Sequence, residues 1–237
     1  MPDDSTPLYA QIRQALIDRI AGGEFGAGAC IPSEVALAEE SGVSPGTVRK
    51  AIDALVAEGV LTRHQGKGTF IAEQTPERAQ YRFFRLTDAT GNRVTPETVE
   101  ERISPAKVTA PVARKLGLAP GDPVFLTERR RLIDGQPALL ETIVTSATLM
   151  PGLDRETPLP NALYPFYQAR YGLSVISTDD HLSAVIASGK DAEALGKSDR
   201  TALLVIERVA RDLQGKPLEW RRTRCISQHH AWAVSLR

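Results

Sequence analysis

Residues 44–71, SPGTVRKAIDALVAEGVLTRHQGKGTFI, constrain the fold most, because they spell a helix marked at both ends and, directly after it, a hairpin. The Ser44 hydroxyl can accept from the first free amides of a helix, and Pro45 suits the first helical position, where a missing N–H costs nothing. Val48, Ile52, Leu55 and Val56 recur at helical spacing and make one apolar face. Gly59 stands where a left-handed residue ends such a helix. Thr47, Arg49, Lys50 and Asp53 fall off the apolar face, so the first turns present a hydroxyl and two cations to solvent. Residues 60–62 and 69–71 read as short strands around Arg63-His64-Gln65-Gly66-Lys67-Gly68, whose glycines let a tight turn approach a phosphate backbone. A helix with a cationic start and a basic hairpin behind it together make the groove-reading half of a winged helix.

Upstream residues complete that domain. Thr6 and Pro7 predict a cap and a first helical position, and Leu8, Ile12, Leu16 and Ile20 a helical stripe closed by Gly22-Gly23. After a short loop, Pro32 and Ser33 open a second helix containing Val35, Leu37 and Ala38, which stops near Ser41-Gly42. Only Val43 then precedes Ser44, and two helices joined by so short a turn, the second carrying the cations, describe a helix-turn-helix. Charge qualifies the picture: residues 1–75 hold 6 basic against 10 acidic side chains, yet four of the six, Arg49, Lys50, Arg63 and Lys67, lie in the helix and hairpin. Affinity for nucleic acid follows the local field and the number of phosphates neutralised. The expectation is a small basic face on an acidic body, with dimerisation needed to make its binding useful.

At 237 residues and 42% apolar content the chain can bury two cores, and the predicted domains are 1–72 and 81–237, joined by a linker over 73–80 that includes Pro76. Beyond the linker the pattern turns to β, with strand candidates at 81–86, 97–103, 124–133, 138–145, 173–186, 202–212 and 218–227. Asp134-Gly135 and Gln214-Gly215 read as hairpin turns, and helices fit at 110–116, 162–171 and 191–195. The class is α+β with a mainly antiparallel sheet. Residues 113–141 and 192–220 echo one another as short helix, Leu-Gly, loop, strand ending in Glu-Arg, and a hairpin with Gly-x-Pro. Such an echo predicts two related halves about a pseudo-twofold axis, with room for a cleft between them.

Other chemistry is thin. No apolar run approaches the roughly 20 residues of a membrane helix, and residues 1–6 are acidic and polar, so the expectation is a cytoplasmic protein with no membrane partner. Cys30 and Cys225 form neither a metal pattern nor a disulfide framework. His229 and His230 are neighbours that face opposite ways on a strand, without a third ligand, so no metal centre or cofactor is expected. Arg129 and Arg131 alternate along a strand, share a face and can converge on a carboxylate or phosphate, while Arg130 points away. The same arginines can equally be solvated, or pair with Glu128 and Glu141. Glu141 can accept from a ligand hydroxyl or serve as an arginine's structural partner.

Residues 7–71, with PLYAQIRQALIDRI, IPSE, TVRKAIDALVAEGVL and QGKGTFI in order, resemble the winged-helix domain of the GntR family of bacterial transcription regulators. In that family the start of the second helix, the recognition helix and the wing contact operator DNA. The resemblance assigns such contacts here to Ser33, Ser44, Thr47, Arg49, Lys50, Arg63, His64, Gly66 and Lys67. Arg49, Lys67 and the Gly66 amide fit phosphate contacts, whereas Thr47 and Arg63 fit base or groove readout; His64 fits a phosphate or a capping role. Val35 and Pro45 replace arginines common in the family, which implies a different operator or weaker reading of the usual one.

The remainder, through ERRRLIDGQP, Glu141 and LYPFYQARYGL, is similar to the UTRA effector-binding domain of the HutC subgroup, a fold like that of chorismate lyase. In relatives that sense sugar phosphates, an Arg-x-Arg pair holds an anion and matches Arg129 and Arg131, and a glutamate on the next strand matches Glu141. A Ser-x-Tyr site is half kept as Ala162 and Tyr164, and the family pocket's C-terminal aromatic falls near His230. The resemblance implies a regulator, a repressor by preference, that binds double-stranded operator DNA as a homodimer and responds to a small anionic metabolite. A second expectation is an enzyme of the lyase-like fold acting on a carboxylated small molecule. The chain offers no paired nucleophile and base for it.

Overall fold

The computed structural model describes residues 6–234, with the backbone alone at Gln80 and Tyr81. Residues 1–5 and 235–237, which the sequence places at the ends of the two domains, lie outside the described residues. The chain separates into compact units whose main boundary falls between Gln74 and Thr75.

In the first unit α1 (Leu8–Ala21), α2 (Glu34–Ser41) and α3 (Pro45–Ala57) precede a hairpin of β1 (Leu61–His64) and β2 (Gly68–Ile71). The α1 stripe begins later than its sequence period suggests: Pro7, not Thr6, holds the N-cap position, Leu8 is 58% exposed, and Leu16 and Ile17 carry the burial. α3 lays Val48, Ala51, Ile52 and Leu55 against α1 and α2, each at most 1% exposed. Gly42 takes φ 65° to end α2, and two residues later the Ser44 hydroxyl accepts from the Thr47 amide to start α3. The wing strands are longer than predicted, with Arg63 opposite Thr69 and His64 opposite Gly68, so the turn is confined to Gln65, Gly66 and Lys67. Cys30 adds a bridge to Phe70 along the hairpin's outer side.

In the second unit α4 (Pro76–Phe83) leads to β3 (Leu86–Thr87), which pairs with β10 (Ala231–Trp232). The strand predicted over 81–86 is therefore helix in its first half, and of its residues only Leu86 lies in a strand. Its apolar positions, Ala79 and Phe83, are four apart and both buried, a helical spacing that prevails over the aromatic strand preference of Phe83 and Phe84. A six-stranded antiparallel sheet follows in the order β4-β5-β6-β9-β8-β7. Its strands are β4 (Glu97–Lys107), β5 (Pro123–Ile133), β6 (Gln136–Ser146), β7 (Ser177–Ile186), β8 (Ala202–Arg211) and β9 (Pro217–Ile226). Three helices, α5 (Ala110–Leu116), α6 (Leu163–Tyr171) and α7 (Gly189–Leu195), connect them.

The sequence echo maps onto this order. The hairpins β5–β6 and β8–β9 meet at the centre, where β6 pairs β9, so β4-β5-β6 mirrors β7-β8-β9 about a pseudo-twofold axis. Each short helix reaches across that axis: α5 packs Ala113 and Leu116 with Trp220 of β9, and α7 packs Ala192 and Leu195 with Leu140 of β6. Those helices cover one face. The other face is covered by α6 and α4, whose Tyr164, Tyr167, Ala79 and Phe83 join Phe125, Ile143 and Ala210 in the largest buried cluster.

Candidate nucleic-acid interface and ligand cavity

The basic face of the first unit is assembled by one acid. Glu34, at the start of α2, accepts from Arg49 Nε at 2.7 Å and from Arg63 Nη2 at 2.9 Å, drawing recognition helix and wing to a common carboxylate. Arg63 also meets Asp53 at 2.6 Å. These guanidinium groups remain 62% and 41% exposed, so a phosphate or base edge can reach them by exchanging for the carboxylate oxygens. The Ser33 and Ser44 hydroxyls are engaged as N-caps of α2 and α3, accepting from Ala36 and Thr47 amides at 3.2 Å each. Ser44 Oγ lies 3.0 Å from Thr47 Oγ1, which orients that hydroxyl at the exposed helix start. Lys50 Nζ stands 4.2 Å from the Tyr9 ring centroid, a cation–π contact that turns it toward α1. On the wing, His64 packs edge-on to Phe70 at 5.1 Å, Gly66 takes φ 71°, and Lys67 is exposed at the tip. Val35 lies exposed on α2, 56%, and Pro45 is exposed at the start of α3, so both missing arginines leave open surface where they would have stood.

In the second unit a small solvent-open cavity lies on the α6 face of the sheet, lined by residues that include Phe83, Phe84, Pro96, Asn161, Tyr164, Arg131, Arg208 and Arg221. All six strands contribute charge beneath it. Glu101 of β4 pairs Arg129 of β5, and Glu141 of β6 meets Arg131 of β5 at 3.3 Å and Arg221 of β9 at 3.4 Å. Arg221 is held by Glu219 on its own strand at 2.9 Å, and Arg208 of β8 by Asp180 of β7 at 2.7 Å. The network balances four arginines with four carboxylates. Only its arginines, Arg131, Arg208 and Arg221, line the cavity, so the wall is cationic while the acids stand behind it.

The energetics of that arrangement are set by burial. Burial alone would raise the Glu141 carboxyl, but Arg131, Arg221 and Arg129 outweigh it and bring the group down to about 2. Burial, with the Glu219 charge, pushes the Tyr164 phenol up to about 12, so its hydroxyl stays protonated and donates to Glu219. Arg131 donates to Pro96 O at 2.9 Å and Asn161 Oδ1 at 2.6 Å, which leaves its buried Nε without a partner. Ala162 is the N-cap of α6 and supplies no side-chain acceptor; with Leu163 and Tyr164 it lines the same cavity. A helix start without a side-chain cap beside converging guanidinium groups is suited to an anion.

The residues marked in the sequence divide here. Arg131 and Tyr164 line the cavity, and Glu141 is the buried acid behind Arg131. Arg129 shares the strand face but turns to Glu101 and to Pro160 O at 3.0 Å, away from the lining. His230 is likewise outside the lining, with Nδ1 3.2 Å from Ile226 O. The sequence does not mark Arg208 and Arg221 as site residues, because only the sheet order brings β9 beside β6 and β8 beside β9, nor Asn161, which joins from the loop before α6. Arg130 lies on the opposite face and pairs with Glu100.

Residues 8–71 match the family described as bacterial regulatory proteins, gntR family, and residues 91–231 match the UTRA domain. A protein of Escherichia coli K12 named "Probable fructoselysine utilization operon transcriptional repressor" is 34% identical over 215 residues, 89% of this chain and 87% of its own length. The crystal structure of PhnF from Mycobacterium smegmatis shares the fold with a TM-score of 0.56 at 24% identity, covering 95% of this chain and 99% of that one. The effector domain of PhnF taken alone gives a TM-score of 0.55 at 26% identity over 68% of this chain and 93% of that one.

Proposed function

We propose how this chain, which belongs to the GntR family of bacterial regulatory proteins and carries a UTRA domain, couples a metabolite to operator DNA. It is a ligand-responsive transcription regulator, and its family and relatives are regulators rather than enzymes. In our reading it is a repressor that acts in the cytoplasm as a homodimer, presenting two winged helices to a two-fold symmetric operator. Arg49, Lys50, Lys67 and the Gly66 amide hold phosphates, and Thr47 and Arg63 read the groove, with Arg49 and Arg63 exchanging Glu34 for DNA. The effector is a small polyhydroxylated anion. The observation that carries this is the cavity wall of Arg131, Arg208 and Arg221 with their acids placed behind. An anionic group sits against Arg131 and the start of α6, and the body of the ligand lies along Phe83, Phe84 and Tyr164.

Binding must favour one arrangement of the DNA-reading units over another, since equal affinity for both would shift nothing. α4 is the element to transmit it: Ala79 and Phe83 line the cavity, and the helix follows the end of the first unit by a single residue in the chain. The deciding experiment is a salt-controlled binding assay on DNA upstream of the protein's own gene, repeated with sugar acids and phosphorylated sugars. Wild-type protein should bind one palindrome, Arg49→Ala should lose about tenfold or more and lower the salt slope by about 1, and one ligand class should release the DNA. Absence of specific binding at any modest salt, or indifference to every anion, would overturn the reading.

A further inference from the structure

We propose that the sheet face covered by α5 and α7, opposite the cavity, holds a second anion site that takes a phosphate group, with Arg222 at its centre. The site stands independently of the effector reading above. Thr142 and Arg222 are the middle pair of the β6–β9 ladder, so they lie on the pseudo-twofold axis. On one side of them the Val144–Trp220 pair packs under α5, and on the other the Leu140–Arg224 pair lies toward α7. Thr142 and Arg222 themselves stay half-buried between the two helices, where solvent reaches them. Four side-chain N–H donors of this face are buried without an acceptor: Trp220 Nε1, Arg222 Nε and Arg224 Nε at alternate positions of β9, and Arg130 Nε on β5. Trp220 is only 8% exposed. Buried polar groups are nearly always partnered, so a row of donors lacking acceptors among the described residues marks a place for an anion.

The surrounding charges leave one cation uncompensated. Arg130 is paired with Glu100, Arg224 with Asp191 of α7 at 2.7 Å, and Lys115 of α5 with Glu207. Glu207 stands directly opposite Arg222 across the β8–β9 ladder, yet its carboxylate is turned to Lys115 instead. Among the described residues Arg222 meets no acceptor at all. Thr142 Oγ1 accepts from Arg224 Nη2 at 3.2 Å, which leaves its own hydroxyl hydrogen to donate beside Arg222. A guanidinium fork, a hydroxyl and further N–H donors around one point match the several acceptor oxygens of a phosphate better than the two of a carboxylate. Glu128, exposed on β5 opposite Thr142, is the acid left facing the site, two strands and roughly 10 Å from Arg222. At that distance it weakens the attraction without filling the site.

The chain's two tryptophans report on the two faces separately. Trp220 belongs to the proposed site, whereas the Trp232 ring lies 5.6 Å from the guanidinium of Arg208 in the cavity wall. In full-length Trp232→Phe protein at constant ionic strength, inorganic phosphate should change Trp220 fluorescence saturably. Arg222→Gln in that background should keep its circular dichroism spectrum and weaken phosphate about tenfold or more. Glu128→Gln should tighten it about threefold by removing a like charge, a gain that damage to the fold does not produce. Glycerol phosphate distinguishes the source: equal or tighter binding assigns the site to a phosphate monoester, weaker binding to free phosphate, and both support the site. No saturable change of Trp220 with either compound, a binding constant that neither substitution moves, or a phosphate response seen only from Trp232 in a Trp220→Phe protein overturns the proposal.

Discussion

Arg131 concentrates the chemistry of the second unit. It is 4% exposed, is gripped by Glu141, Asn161 and the Pro96 carbonyl, and still has an unpartnered Nε beside the cavity. Arg131→Met should abolish ligand-induced release of operator while leaving operator affinity in the absence of ligand within about threefold, less than 1 kcal/mol. It should also destabilise the fold, since Glu141 loses one of its two arginines, and a thermal scan separates the effects. Glu141 adds a pH signature. Its folded pKa, about 2, lies below the ordinary carboxylate value, so its stabilising contribution is complete above about pH 4.3 and fades as pH falls toward 2. Wild-type melting temperature should therefore drop steeply in that window. Glu141→Gln, less stable at neutral pH, should show a flatter acid limb, and an equally steep limb in both proteins would refute the assignment. Strand parity was enough to place Arg129 and Arg131 on one face in advance. It could not reveal that Arg129 is committed to Glu101, or that Arg208 and Arg221 complete the wall, because those contacts span sheet neighbours distant in sequence. Glu34 was hidden for the same reason: its partners are 15 and 29 residues away.

Among the elements, the wing shows how little tolerance a short hairpin has. Gly68 adopts φ 120°, and a Cβ there would sit 3.1 Å from Cys30 Sγ, whereas Gly66 at φ 71° has open space around it. Gly68→Ala should cost about 2 kcal/mol from backbone strain and crowding together, and Gly66→Ala about 1 kcal/mol from the left-handed backbone alone. Denaturant midpoints of the two variants measure the difference, and equal losses would argue against the Cys30 contact. Local signals of this kind made the first unit readable: a cap, a proline, an apolar stripe and a glycine mark each end of α3. The second unit was readable where it repeats itself, since the two Gly-x-Pro hairpins became β5–β6 and β8–β9. The expectation fails at 81–83, where an aromatic run suggests a strand and tertiary burial of Ala79 and Phe83 selects a helix. That helix also fills most of the stretch expected to be linker.

At the scale of the molecule, the proposed function asks how a neutral, 237-residue chain would let an anion in one unit govern DNA binding by another. The division of labour is already electrostatic: exposed cations with borrowed carboxylate partners on the winged helix, buried cations with permanent ones in the cavity. Exposed pairs are cheap to exchange for phosphates, whereas buried pairs hold their geometry and wait for a ligand small enough to reach them. In the proposed mechanism coupling runs along the covalent path through α4, and it is reciprocal, so DNA must weaken the effector by the same factor as the effector weakens DNA. Inserting Gly-Ser-Gly-Ser between Gln74 and Thr75 should leave effector affinity in the absence of DNA unchanged and remove most of that factor. Titrating effector into wild-type and insertion proteins, each with and without saturating operator, measures the coupling in both directions. The wild type should bind effector more weakly on DNA, typically by about 5–150-fold, and the insertion variant equally well with and without it. Undiminished coupling in the variant would mean that the signal passes by a route other than the start of α4.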